Sequence, residues 1–200
     1  MKKLNLKQQE KIRNKILARL DIIETSASLA PYVSKSITAI VKSLKKGNKI
    51  ILFGNGGSAA DAQHIAAELI GRFNFNRKSL PAIALTNNSS TITALSNDFS
   101  FDVVFSRQCE CLVSKGDIVI GISTSGNSLN VKKAIIVSKK KGATTIALLG
   151  NKGGTIKKHV DIPIIVNSSS TPYIQEIHRI IYHIICEITE KELTKRSKKE

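Results

Sequence analysis

The amino-acid sequence predicts an α/β fold, a doubly wound parallel sheet of five strands that is flanked by helices and preceded by an N-terminal helical extension. Five short runs of apolar, largely β-branched residues are nearly continuous, as expected of strands that are buried on both faces of a sheet. Helical stretches separate most of these runs, and such alternation is typical of parallel sheets. The apolar runs are residues 50–53, 82–85, 118–122, 145–149 and 162–166, and the helical stretches between them are residues 58–72, 101–113 and 127–141.

Residues 1–46 are predicted to form a helical arm that serves in assembly. Apolar residues recur every three to four positions from Ile12 to Ile23, which is the period of a helix. Pro31 interrupts this run, and a second amphipathic stretch continues to Gly47, where we expect it to end. The apolar stripes of the arm must be buried, either against the sheet or against another subunit.

The main domain is predicted to comprise residues 47–193. Pro163 lies within the last apolar run and predicts an edge strand, because proline cannot donate a hydrogen bond to a neighbouring strand. Pro172 suits the first turn of a helix, so we expect it to open a long final helix over residues 173–193. Residues 194–200 form a polar tail.

The chain is strongly basic. Its 31 Lys and Arg against 15 Asp and Glu give a formal charge of +16, which suits nucleic acid, a membrane surface or an anionic substrate. Most of the basic residues are Lys, whereas Arg is the residue that binds bases and phosphates bidentately. Aromatic residues, which stack on bases, make up only 4% of the chain. We therefore expect no nucleic-acid partner. The positive charge then reflects either an anionic substrate or a basic surface composition without a binding role.

The sequence carries no signal for secretion or membrane insertion. The segment that begins at Met1 lacks the apolar core of a signal peptide, and no stretch approaches the roughly 20 apolar residues that span a bilayer. The three cysteines, Cys109, Cys111 and Cys186, are odd in number and are not spaced as a disulfide framework. We expect a cytoplasmic protein with reduced thiols.

A glycine-rich loop follows the first predicted strand, where ligands bind in sheets of this kind. Its glycines let the backbone approach an anion, and Ser58 can cap the next helix and bond a ligand oxygen. The resemblance to a dinucleotide fingerprint is loose, because no acidic residue lies between Glu68 and Asp98 to hold a ribose. The loop therefore predicts an anion site but no nicotinamide cofactor.

A second loop, after the third predicted strand, is rich in hydroxyl groups. Ser123, Thr124, Ser125 and Ser128 fall within six positions at the start of a predicted helix. A simple helix cap would need one hydroxyl, whereas four of them beside a helix N-terminus favour a phosphate monoester. No Gly-Lys-Ser or Gly-Lys-Thr sequence follows, so this is not the loop of a nucleoside-triphosphate enzyme.

Candidate titratable groups lie on two predicted helices. His64 and Glu68 are four residues apart and share one helix face. An imidazole and a carboxylate so placed can hold zinc or serve as general acid and general base. They can equally form an ion pair on the surface. On the final helix, Gln175 and His183 lie broadly on one side, and His178 is predicted to face elsewhere.

These residues together resemble the signature of phosphoheptose isomerases, the sedoheptulose 7-phosphate isomerases of the sugar isomerase (SIS) fold. The resemblance covers nearly the whole chain and rests on several long motifs in the right order. They are Gly54-Asn-Gly-Gly-Ser-Ala-Ala-Asp-Ala-Gln-His64 with Glu68, Asn97-Asp98-Phe99, Gly121-Ile-Ser-Thr-Ser-Gly-Asn-Ser128, and Ile174-Gln-Glu-Ile-His178 with His183.

The resemblance implies a homotetramer with sites shared between subunits and one zinc ion per subunit. The positions that match zinc ligands are His64, Glu68, Gln175 and His183. The positions that match sugar contacts are Asn55, Gly56, Gly57, Ser58, Asn97 and Asp98, with Glu68 and Gln175 belonging to both sets. The phosphate cradle matches Ser123, Thr124, Ser125 and Ser128.

The resemblance also implies the reaction, which converts sedoheptulose 7-phosphate into D-glycero-D-manno-heptose 7-phosphate at the start of bacterial heptose synthesis for the lipopolysaccharide core. Moving a proton between C1 and C2 through an enediol needs a base, for which Glu68 is the candidate. His183 is the candidate for the acid that opens the sugar ring or serves its oxygens. Zinc would hold or polarise the enediolate oxygens.

Two alternative functions share the loops described above. One is a non-enzymatic SIS protein that binds the bacterial replication initiator DnaA. Such proteins lack the glutamate of the first helix and the final histidine, so Glu68 and His183 favour an enzyme. The other is a sugar-phosphate sensor domain, which normally accompanies a DNA-binding module for which we expect no room in 200 residues.

Overall fold

A five-stranded parallel sheet forms the centre of the molecule, as predicted. In the computed structural model, which describes residues 6–194, each strand ends within one residue of its predicted bounds. The strands are β1 (Ile50–Gly54), β2 (Ala82–Ala84), β3 (Ile118–Ser123), β4 (Thr144–Leu149) and β5 (Ile162–Ile165). Their order is β2-β1-β3-β4-β5, and all neighbouring pairs are parallel. Pro163 lies in β5 at the edge of the sheet, which confirms the prediction from that residue.

Helices cover both faces of this sheet. The α-helices of the described residues are α1 (Leu6–Leu17), α2 (Leu20–Ser26), α3 (Ala30–Leu44), α4 (Gly57–Ile70), α5 (Ser89–Asp98), α6 (Ser106–Leu112), α7 (Leu129–Lys140) and α8 (Thr171–Thr194). Short 3₁₀ turns occupy Ala27–Leu29, Phe101–Val103, Asn151–Gly153 and Ile156–Lys158. No helix within residues 6–194 is both long and apolar enough to cross a membrane.

The core has two halves, one on each face of the sheet. Ile50 and Leu52 of β1 pack in the half formed with α3, α4 and α8, whereas Ile51 and Phe53 pack in the half formed with α6 and α7. Successive side chains of a strand point to opposite faces, so both sets must be apolar when both faces are covered. All four residues are fully buried, which explains why the strand is apolar without interruption.

The N-terminal arm is more divided than predicted. The first helical stretch breaks after Leu17, well before Pro31, and Pro31 lies in the first turn of α3 rather than ending a helix. Burial against the rest of the same chain is confirmed for α3 alone, and burial of α1 and α2 against another subunit stays a prediction. Helix α3 buries Val33 and Ile37 against the sheet, whereas α1 and α2 bury no residue within this chain.

Two further predictions need correction, and one helix was missed. The predicted helix over residues 101–113 is a 3₁₀ turn followed by the shorter α6, and helix α5 was not predicted at all. Ser58 does not cap α4, because the helix begins at Gly57 and its N-cap position is Gly56. Pro172 does open the final helix, in its first turn. Apart from Thr194, which ends α8, the predicted polar tail lies outside the described residues.

The strand order creates a crevice at the carboxyl end of the sheet. The chain leaves β1 toward β2 on one side, while β3 lies on the other side of β1. Ligands of open α/β sheets bind where the strand order reverses in this way. Gly54 is paired with Ile122 in the register of β1 and β3, so the glycine-rich loop and the hydroxyl-rich loop begin side by side.

Candidate active site

The two loops are joined by a reciprocal pair of amides. Asn55 donates to the Oδ1 atom of Asn130 over 3.0 Å, and Asn130 donates back to the Oδ1 atom of Asn55 over 2.9 Å. Asn130 is buried in the first turn of α7, where its Oδ1 also accepts from the backbone N–H of Val131. The pair fixes the glycine-rich loop to the helix that follows the hydroxyl-rich loop. Asn130 was not among the predicted site residues.

The hydroxyl groups of the second loop face one another. Ser123 and Ser128 are 2.9 Å apart between their Oγ atoms, and Ser123 and Ser125 are 3.4 Å apart. Ser128 occupies the N-cap position of α7 but makes no capping hydrogen bond with its side chain. The interpretation of this serine as a simple helix cap is therefore wrong. Thr124 is half-buried beside them, and a Cβ atom on Gly150 would collide with its carbonyl oxygen.

The loop after β4 supports the hydroxyl-rich loop from behind. The backbone N–H of Ile156 donates to the carbonyl of Gly126 (2.9 Å), and that of Thr155 donates to the Asn127 side chain (2.8 Å). Gly126 and Gly154 both have a positive φ, of 67° and 51°. A Cβ atom on either glycine would collide with the backbone of the opposite loop. The close approach therefore requires glycine on both sides.

A hydrogen-bonded chain runs through His64 to Glu68. The Tyr182 hydroxyl lies 3.3 Å from Asp61 and 3.1 Å from the Nδ1 atom of His64, whose Nε2 atom is 3.0 Å from Glu68 Oε1. A hydroxyl has one hydrogen, so if Tyr182 donates to Asp61 its oxygen accepts from His64 Nδ1–H. The Nε2 atom then has a lone pair for a metal ion, or shares a further proton with Glu68. Burial, followed by the Asp61 carboxylate, raises the pKa of Tyr182 to about 12.

His183 completes this cluster from α8. Its ring centroid is 5.2 Å from that of His64 and 4.7 Å from that of Tyr182. Burial, and next the neighbouring His64, lowers the pKa of His183 from its ordinary value of 6.5. The ring is therefore largely neutral at neutral pH, which suits proton acceptance or metal ligation. To act as an acid it must first take up a proton.

Gln175 lies at the other end of the same helix face. A Cβ atom on Gly57 would collide with its amide nitrogen, so Gln175 closes over the glycine-rich loop. Gln175 therefore meets the first turn of α4, whereas His183 meets His64 two turns later. The two helices run side by side in the same direction, and Gln175 and His183 lie about 12 Å apart along α8.

The four predicted zinc ligands supply suitable donor types, namely two imidazoles, a carboxylate and an amide. His64, Glu68 and His183 cluster at one end, and Gln175 approaches from the other. Within residues 6–194, no three His, Cys, Asp or Glu side chains are already arranged around a single metal position. The Nε2 atom of His64 is engaged with Glu68, so a metal ion would replace that hydrogen bond.

Asn97 and Asp98 lie on a different helix from the residues of this cluster. They form the exposed end of α5, where the Asn97 side chain donates to Asp98 over 2.9 Å. Within the described part of the chain, no hydrogen bond joins them to His64 or its neighbours. His178, which the sequence predicted to face elsewhere, is fully buried and has a structural role.

Comparison with known proteins decides the family. The SIS domain model matches residues 13–150. A phosphoheptose isomerase of Sulfurimonas denitrificans is 56% identical over 161 residues, which cover 80% of this chain and 81% of the relative. One of Citrifermentans bemidjiense is 51% identical over 170 residues, with 85% and 88% coverage. The chain belongs to the phosphoheptose isomerase family.

Solved structures agree with this assignment. A phosphoheptose isomerase from Francisella tularensis matches with a TM-score of 0.88 and 34% identity, covering 92% of this chain and 98% of that structure. One from Neisseria gonorrhoeae matches with a TM-score of 0.87 and 36% identity, covering 92% and 99%. The protein is thus an isomerase of the SIS fold, and these relatives give no support to the DnaA-binding alternative.

Sequence reasoning missed the residues that hold the site together. Asp61 and Tyr182 orient His64, and Asn130 joins the two loops. Asp61 lies within the motif that pointed to His64, and it is three residues before that histidine on the same helix. That spacing was the one local signal available. The partnership of Tyr182 with Asp61 spans 121 positions in the chain and has no local signature.

Proposed function

We propose that the protein converts sedoheptulose 7-phosphate into D-glycero-D-manno-heptose 7-phosphate through an enediol. The observation that carries this proposal is the meeting of His64, Glu68 and His183 from two parallel helices, of which α4 begins at the glycine-rich loop. Together with the hydroxyl-rich loop, this cluster gives a sugar phosphate both a group for proton transfer and a place for its anionic end.

The hydroxyl-rich loop would hold the phosphate. Ser123, Ser125 and Ser128 already point at one another, and each hydroxyl can donate to a phosphate oxygen. The positive end of the α7 dipole adds attraction for the anion. Because the loop is supported by glycine contacts from behind, the hydroxyls hold a fixed geometry before substrate arrives.

Glu68 would move the proton between carbons. Its carboxylate removes a proton from C1 of the ketose while the C2 carbonyl oxygen gains one, which gives the enediol. The proton of the C1 hydroxyl then leaves and a proton returns to C2, which gives the aldose. Once it has taken up a proton, His183 can give that proton to the C2 oxygen and regain one from the C1 hydroxyl. Its lowered pKa makes the protonated ring a ready donor.

We also propose one zinc ion per subunit, held by His64, Glu68, Gln175 and His183. The donor set and the orientation of His64 by Tyr182 support it. A bound zinc ion would polarise the sugar oxygens and stabilise charge on them. Metal analysis of purified protein, followed by chelation, tests this proposal. Absence of zinc from a fully active protein would contradict it.

A homotetramer is the assembly that we propose. An open groove of about 1020 Å³ runs between the arm helices and α8 and is lined largely by apolar side chains such as Ile23, Val33, Ile180 and Ile184. Further apolar residues of α1 are exposed, and apolar surfaces of this extent mark interfaces. Light scattering should give four times the 21.8 kDa mass of one chain. A stable monomer would contradict it.

We place this activity in the cytoplasm, at the first step of bacterial heptose synthesis for the lipopolysaccharide core. The three cysteines support a reducing compartment, since all of them are unpaired thiols. Incubation with sedoheptulose 7-phosphate, followed by NMR of the product, tests the reaction. Formation of an aldoheptose 7-phosphate would support it, and no conversion by folded, zinc-loaded protein would refute it.

A further inference from the structure

A buried ion pair lies at the far end of the two helices that carry the proposed catalytic residues. The Nε atom of Arg77 is 2.8 Å from Glu190 Oε1, and the two side chains are 6% and 1% exposed. A buried ion pair is costly to desolvate and is weak grounds for stability by itself. Its position in the fold therefore calls for an explanation.

Glu190 fastens the segment after α4 onto α8. Its carboxylate accepts backbone N–H groups from Phe73 (2.9 Å), Asn74 (2.6 Å) and Phe75 (3.0 Å) in addition to the bond from Arg77. Burial alone would raise the pKa of Glu190, but these backbone donors and Arg77 outweigh it and lower that pKa. Glu190 is thus held as a carboxylate that ties three consecutive residues to one helix.

Arg77 fastens the last turn of α4. Its guanidinium donates to the carbonyl oxygens of Glu68 and Leu69, both over 2.9 Å, and to that of Gly71 over 3.2 Å. The last carbonyls of a helix have no partner within the helix, so this fork supplies their partners. One of those carbonyls belongs to Glu68 itself.

Arg77 and Glu190 together form a clamp, and this clamp also reaches His183. Glu190 follows His183 by two turns of α8, and the ring of Phe73, whose backbone Glu190 holds, lies 5.8 Å from the His183 ring. The pair therefore connects the backbone of Glu68 on α4 with the helix and the ring partner of His183.

We propose that the Arg77–Glu190 ion pair is a positioning device that sets Glu68 at its working distance from His183. This inference rests on the proposed roles of those two residues. A displacement of about 1 Å at a reacting group can cost up to about a hundredfold in rate, so loosening the clamp lowers turnover more than it lowers substrate affinity. The phosphate loop lies on β3 and α7 and is not held by the clamp.

An ion pair with one buried partner provides a control elsewhere in the molecule. Lys49 Nζ lies 2.7 Å from Asp117, whose carboxylate is almost fully buried and also accepts the backbone N–H groups of Lys49 and Ser114. Lys49 and Asp117 directly precede β1 and β3, and the hydrogen bonds of the Asp117 carboxylate go to Lys49 and Ser114, neither of which belongs to α4 or α8. Breaking it should disturb stability without disturbing the catalytic cluster.

The experiment compares Arg77→Lys, Glu190→Gln and Asp117→Asn in steady-state kinetics, with the melting temperature of each variant measured alongside. Arg77→Lys keeps the charge beside Glu190 but gives up the fork to the α4 carbonyls, so it should fold even where Glu190→Gln does not. We expect kcat of Arg77→Lys to fall about tenfold or more while KM stays within about twofold. For Asp117→Asn we expect a lowered melting temperature with kcat unchanged.

Two results would overturn the proposal. One is a wild-type kcat in folded Arg77→Lys, and the other is an equal loss of kcat in Asp117→Asn, which would show general destabilisation. Glu68→Gln is measured in the same series to separate the causes. If Glu68→Gln is inactive while Arg77→Lys is fully active, the clamp proposal alone is wrong. If Glu68→Gln is fully active, the role of Glu68 is wrong and the clamp proposal fails with it.

Discussion

Mild acid should destabilise the fold through His178. This ring is fully buried, its Nε2 atom lies 3.1 Å from the carbonyl oxygen of Leu149, and its Nδ1 atom has no hydrogen-bond partner within residues 6–194. Nε2 must carry the hydrogen in order to donate to that carbonyl, so Nδ1 holds the lone pair. Protonating Nδ1 would bury both a charge and an unpaired N–H group.

The size of this effect follows from the pKa. Burial lowers the pKa of His178 from 6.5 to about 4. Between these two values the unfolded chain binds more protons than the folded one, so stability is lost as the pH falls through this window. The full difference corresponds to about 3 kcal/mol, of which about 2 kcal/mol should be lost between pH 7.5 and pH 5.

Urea unfolding at these two pH values, with chelator present and at one protein concentration, measures the loss. The control is His178→Gln, whose amide can still donate to Leu149 but does not titrate. Other titrating groups, His183 among them, are common to both proteins and cancel in the comparison. The variant should lose about 2 kcal/mol less than wild type on acidification. An equal loss in both proteins would show that His178 does not cause the acid sensitivity, as would an NMR titration that finds the His178 pKa near 6.5.

Two further predictions concern the hydroxyl-rich loop. Gly154→Ala should weaken competitive inhibition by inorganic phosphate about tenfold, because its Cβ would push against the backbone of Gly126. Gly47→Ala is the control, because Gly47 also has a positive φ but a Cβ atom on it would meet open space. Weaker inhibition by phosphate in both variants would contradict the explanation. Ser128→Ala removes the hydroxyl that faces Ser123. In steady-state kinetics it should raise KM about tenfold with kcat nearly unchanged. An unchanged KM would count against a phosphate contact.

The fold could be predicted from sequence where local pattern and burial agree. The apolar runs located all five strands because a parallel sheet covered on both faces tolerates few polar residues. Pro163 and Pro172 marked an edge strand and a helix start because the backbone of proline restricts both positions. Helix α5 was missed because its Ser, Thr and Asn residues form no apolar stripe and bury no residue. Its one local signal was the cap at Asn88, which accepts from the N–H of Thr91.

The residues of the candidate site could likewise be predicted only where they share a local pattern in the sequence. His64 and Glu68 could be paired from their spacing on one helix, and the structure brings them within 3.0 Å. Residues that act through partners distant in the sequence could not be found from such spacing. Glu190 gave no sign in the sequence that it would hold Phe73 and its neighbours, because that contact exists only once α4 and α8 lie side by side. Asn130 could not be found from the sequence either, because its partner Asn55 is 75 positions away.

Turnover of sedoheptulose 7-phosphate by wild type and by Glu68→Gln, followed by NMR, decides whether Glu68 moves the proton between the two carbons. Glu187→Gln, the same chemical change at an exposed position of α8, is the control. We expect an aldoheptose 7-phosphate from wild type and from Glu187→Gln, and a turnover lower by about a hundredfold or more in Glu68→Gln. Wild-type turnover by folded Glu68→Gln would contradict this role of Glu68.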